Sequence, residues 1–110
     1  MAYYLHHVSY SPVAIKSLIA RPSDREAAAR KLVEAAGGKL VHLFFAFGTS
    51  DAISLIKAPN DKVMMAISAA VSATGTAMSS STTKLMSPEE AAEAFAIAAK
   101  AAASYRPPMA

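Results

Sequence analysis

The sequence predicts an α+β fold: one antiparallel sheet with helices packed on one face. Three observations predict it. The stretch from Gly37 to Pro59 reads as a helix stop, a strand, a tight turn and a second strand. Three segments carry helix-start chemistry: Ser11-Pro12, Ser23-Asp24-Arg25-Glu26 and Ser87-Pro88-Glu89-Glu90. Two further stretches, Tyr3 to Tyr10 and Thr76 to Met86, contain no internal Gly or Pro and read as strands on either side of the hairpin.

Taken in order, Tyr3 to Tyr10 is the first strand, rich in aromatic and β-branched residues. Ser11 caps a helix over Val13 to Ala20, with proline at the first helical position. That helix pauses at Arg21-Pro22, because the residue before proline avoids helical angles. Ser23 and Glu26 predict a capping box for a second helical piece running to Ala36. Ala28, Leu32 and Ala35 are its expected apolar stripe, and Gly37 its left-handed stop. Lys39 to Phe47 is the second strand, Gly48-Thr49-Ser50 the hairpin turn, and Asp51 to Ala58 the third strand.

Asn60 is the expected N-cap of a helix over Lys62 to Thr74 that Gly75 closes. That helix is apolar nearly all round, which predicts burial on more than one side. Thr76 to Met86 is the fourth strand, with an unbroken hydroxyl run from Ser79 to Thr83. An alanine-dominated helix follows from Glu89 to about Ala102, and Tyr105-Arg106-Pro107-Pro108 leaves it extended. The order β-α-β-β-α-β is the ferredoxin-like plan, which sets the strands in spatial order 4-1-3-2 with both helical layers on one face. One added helix cannot cover the opposite face of four strands, whereas the sheet of a second copy can.

Composition bounds the function. The 110 residues make one domain, residues 1–110, large enough to bury a core without staples. Cysteine is absent, which removes disulfides and thiolate metal sites. The N-terminus lacks the basic and apolar regions of a signal peptide, and no stretch has the roughly 20 apolar residues of a membrane span. We therefore expect a cytoplasmic protein with no membrane partner.

The net charge of +3 is mild, and the densest basic region, Arg21 to Lys31, is interleaved with acids as on a solvated helix face. The third strand has no aromatic residue on which bases could stack, so no nucleic-acid partner is expected. Only 17% of residues are charged and 54% are hydrophobic, a surface short of charge that predicts a homo-oligomer, a dimer or larger.

Several features together resemble the GYD-domain family, small bacterial proteins of the dimeric α/β barrel superfamily. They are Ser9-Tyr10, Gly37-Gly38-Lys39, Phe47-Gly48, Asp51, Pro59-Asn60-Asp61, Ser72-Ala73-Thr74-Gly75 and Thr82-Thr83. Their order and spacing carry the resemblance across nearly the whole chain. The family's name-giving motif has a tyrosine just before the aspartate. That position is Ser50 here, so a role carried by that tyrosine does not transfer to this chain. The resemblance implies a dimeric α/β barrel and names no particular reaction.

The candidate site residues come from the chemistry of their side chains. His6 and His7 are adjacent on the first strand and so point to opposite faces. His42 lies on the second strand, about 10 Å from the first across the intervening third strand, so the sequence predicts no metal shared within one chain. Tyr4, His6 and Tyr10 share one face of the first strand. Ser79 and Ser81 share one face of the neighbouring fourth strand.

A histidine among hydroxyls and tyrosines predicts a small-molecule site between the sheets of a dimer, with Tyr4, His42, Ser79 and Ser81 as ligand contacts. In the alternative, cofactor-independent enzyme, His6 or His7 is the base and Tyr10 positions the substrate. This matches the monooxygenases and isomerases that the superfamily resemblance implies. Asp51 beside the Gly48 turn is a candidate base, and more often such a residue bonds turn amides. No cofactor motif is present: Gly37-Gly38 is not a dinucleotide fingerprint.

Overall fold

A computed structural model describes residues 1–108. The chain runs β1 (Ala2–Tyr10), α1 (Pro12–Ala20), α2 (Arg25–Ala35), β2 (Lys39–Phe45), β3 (Ala52–Ala58), α3 (Asp61–Ala73), β4 (Ala77–Leu85) and α4 (Pro88–Ala103). The strands form one open antiparallel sheet in spatial order β2-β3-β1-β4, so the ferredoxin-like plan with an added C-terminal helix is the fold. No helix among the described residues is long and apolar enough to cross a membrane.

Capping chemistry starts each helix. The Ser11, Asn60 and Ser87 side chains accept from the amides of Ala14, Val63 and Glu90. Ser87 and Glu90 complete a reciprocal capping box. The second helix differs from expectation. Its cap is Asp24, whose Oδ1 accepts from Ala27 N at 3.0 Å, and no capping box forms at Ser23. The break at Pro22 delays the helix by one residue and leaves Ser23 outside it. The buried face of α2 shifts as well. Val33 is buried with Ala29, Leu32 and Ala36 beside it, whereas Ala28 and Ala35 are exposed, because branched Val33 fits the sheet surface better than alanine does.

The paired glycines Gly37 and Gly38 serve two different needs. Gly37 has φ +98°, a conformation that favours glycine. At Gly38 a Cβ would lie 3.0 Å from Ile67 Cδ1 and 3.1 Å from both Lys57 O and Val33 Cγ1. The chain thus presses against β3 and α3 as it enters β2. That strand ends at Phe45, short of the expected Phe47, because the chain turns out to Gly48 at φ +108°.

The core lies between the sheet and α2 and α3, and is built from Tyr4, Val33, Leu40, Ile56, Ala58, Met64 and Ile67. Among the described residues, no helix packs over the other sheet face, formed by Leu5, His7, Phe44, Ile53, Leu55 and their neighbours. The expectation that α3 is buried on more than one side does not hold within the chain. Met64 and Ile67 are buried, while Met65, Ala66, Ala69 and Ala70 face outward. No residue of α4 is buried, and the molecule is long, 61 × 31 × 21 Å.

A buried histidine in a cavity beneath the helices

Strand alternation and the pairing register place the candidates. Tyr4, His6 and Val8 are buried towards the helices. In the same layer lie the side chains of β3 residues Ala52, Ser54, Ile56 and Ala58. His6 pairs with Ser54 of β3 and Thr82 of β4 and is only 3% exposed. Among the described residues its Nε2 has no hydrogen-bond partner. Burial, and secondarily the neighbouring His7, push its pKa below the ordinary 6.5. The imidazole is therefore neutral at pH 7, with one nitrogen free to accept a proton or a hydrogen bond.

His6 lines a cavity of about 120 Å³ closed by Val8, Ala52 and Ser54 of the sheet, Leu32 of α2 and Val71 of α3. Its rim is polar, with Tyr10, Arg25, Thr74 and Thr76. The Thr74 hydroxyl donates to Val71 O at 2.6 Å, so the Thr76 hydroxyl, 2.7 Å away, donates to Thr74. Both threonine protons are thereby committed. Arg25, Thr74 and Thr76 line the cavity without any signal in the strand pattern. They come from the ends of helices and the start of β4, where only the folded chain shows what converges.

The other candidates lie elsewhere. Tyr4 is in the core, and its hydroxyl donates to Asp61 Oδ1 at 2.5 Å, an oxygen that Lys84 Nζ also contacts at 2.9 Å. The hydrogen bond to Asp61 raises the Tyr4 phenol, and the same bond lowers the Asp61 carboxyl, so Tyr4 keeps its proton. Asp51 does not line the cavity. Its Oδ2 accepts from Tyr10 N at 2.8 Å, tying the hairpin to the end of β1 rather than to the turn's own amides. His7, His42, Ser79 and Ser81 lie on the open sheet face, where His42 and Phe44 have ring centroids 5.7 Å apart. The candidates therefore divide between two faces. A site between two sheets could draw on His7, His42, Ser79 and Ser81, but not on Tyr4, His6 or Tyr10. Among the described residues no group of three or more His, Asp or Glu could hold a metal ion.

Fold and cavity together define a ferredoxin-like α+β domain with a small, polar-rimmed chamber between its sheet and its helices. The chain belongs to the GYD domain family, whose pattern it matches over residues 4–95. No curated protein matches the sequence closely enough to lend it an activity.

Proposed function

We propose that this single-domain chain is the subunit of a homo-oligomer, a dimer or larger, that binds a small molecule in the chamber beneath its helices. The observation that carries the reading is the buried His6 with its unpartnered Nε2. Leaving a buried polar atom unsatisfied costs about 1–3 kcal/mol, and such atoms are rare in cores without a role. A ligand bearing a hydroxyl or N–H would satisfy it. The ligand thus lies on the helix side of the sheet, and the open face is left for a second copy.

A second reading is supported by the same histidine. Neutral at pH 7, His6 is fit to act as a general base towards a bound molecule, with Tyr10 and Ser54 orienting it. That would make the protein a cofactor-independent enzyme of the isomerase or monooxygenase type.

A crystal structure of the protein taken straight from its producing cells, with no ligand added, tests the proposal. Density for a small molecule within hydrogen-bonding distance of His6 is the expected result. A chamber closed by side chains, or holding only ordered water, overturns it.

A further inference from the structure

A second cavity of about 140 Å³ adjoins the first, between α1, the α1–α2 link and the start of β4. The two share Tyr10, Arg25 and Thr76 in their walls, so they are neighbouring compartments. The second adds Arg21, Ser17 and Ser23. Among the described residues no carboxylate lines either one. Among the described residues, neither Arg21 nor Arg25 forms a salt bridge, whereas Arg30, one turn on, is held by Glu26 at 2.9 Å.

Arg25 is also placed against local preference. It is the first residue of α2, where the helix dipole is positive and a cation is unfavourable. Arg21 follows α1, where a cation is locally favourable, so its position alone would need no ligand. The half-buried Arg25 has no such explanation. Asp24 caps that helix end, but no acid pairs with either arginine and no described carboxylate lines the walls, so the lining itself is positively charged. The threonine protons are committed and Arg25 Nη1 donates to Ser23 Oγ at 3.5 Å, so the remaining guanidinium N–H groups of Arg21 and Arg25 are the charged donors left to a ligand.

Resting on the proposed ligand chamber at His6, we infer that the two compartments form one site for a small organic oxyanion. Its carboxylate or phosphate is held by Arg21 and Arg25, and its uncharged end reaches the buried His6. The charged group sits at the mouth, where both arginines are accessible. The body of the ligand lies against Val8, Leu32 and Val71, and a single hydrogen-bonding group meets the histidine. Free inorganic anions would satisfy the arginines but leave His6 unfilled, so an organic anion is the fitting class.

The test uses the intact protein and matched probes: acetate with acetamide, benzoate with benzamide, phenyl phosphate with phenol, and inorganic phosphate alone. The readout is the ring resonances of His6 by NMR. At least one organic anion should shift them with an affinity ten-fold or more tighter than its neutral partner. Arg25→Gln should weaken that binding about ten-fold, while Lys31→Gln, the same charge change on the exposed side of α2, leaves it unaltered. Tighter carboxylate binding or tighter phosphate binding decides between the two head groups.

Neutral partners that bind as well as the anions would overturn the oxyanion assignment and leave the His6 chamber standing. A His6 signal that no probe moves would overturn both. Because the matched pairs are read on the unmodified protein, a folding defect in the arginine variant does not spare the inference.

Discussion

His6 occupies a place where a core ordinarily keeps a hydrocarbon. At 3% exposure, and with Nε2 unsatisfied, it costs the fold stability. We predict that His6→Leu raises stability by about 1 kcal/mol in denaturant unfolding while abolishing ligand binding, the usual trade at a functional position. A variant less stable than the parent would mean that His6 is a satisfied core residue.

The pH dependence follows from the lowered pKa of the folded-state imidazole. Below about pH 6.5 the unfolded chain takes up a proton at this residue that the folded chain refuses. Stability is therefore full above pH 6.5 and falls as the pH drops from there towards the folded pKa. His6→Leu should flatten that part of the curve, as read by urea unfolding between pH 5 and 7.5. The opposed faces of His6 and His7 were legible from strand alternation alone. Which of the two faced the helices was not, because a one-residue change of register exchanges every side chain.

At the scale of elements, short-range chemistry sets most boundaries, and one neighbouring residue pair separates two readings of a helix start. Ser23 with Glu26 has the spacing of a capping box, yet Asp24 makes the bond. Removing an N-cap oxygen costs about 1 kcal/mol. Asp24→Ala should therefore lower the unfolding midpoint by that amount and Ser23→Ala by almost nothing. Equal effects would restore Ser23 as the cap.

Other element-level features were plain in the sequence because their causes are local: the prolines after Ser11 and Ser87, the cap at Asn60, and the left-handed glycine at position 37. The buried face of α2 was not, since Ala28, Ala29, Ala35 and Ala36 offer almost the same hydrophobicity and only docking on the sheet chooses among them. The cavity at His6 was half legible for the same reason. Its strand residues are fixed by pairing, while Arg25, Thr74 and Thr76 meet only after α2 and α3 have packed.

On the scale of the whole molecule, this chain alone leaves apolar surface uncovered. The radius of gyration is 18.2 Å, against about 13 Å for a compact domain of 110 residues. The excess comes with α4, which buries no residue and exposes Phe95 and Ile97. A lone helix of that length is marginal in water, even when rich in alanine. The uncovered sheet face centres on Leu5 and Leu55, paired across β1 and β3, with Ile53 and the 61%-exposed Phe44 beside them. It carries Lys57, whose ammonium lies 5.2 Å from the Tyr3 ring centroid.

A second copy packed on this face would remove those side chains from water, and the low charge of the sequence is consistent with such an arrangement. Stable interfaces bury at least roughly 1,000 Å² in total, which a four-stranded sheet face is large enough to supply. Leu55→Glu places a charge at the middle of that surface. In a sheet-to-sheet dimer it must be desolvated without a partner, which costs several kcal/mol and should split the dimer. On a free sheet surface the same change stays hydrated and alters stability by about 0.5 kcal/mol or less. Sedimentation at micromolar concentration separates these outcomes. We expect a dimer or larger for the unmodified protein and a folded monomer for Leu55→Glu. An unmodified protein that sediments as a monomer would leave the open face exposed and remove the basis for the assembly.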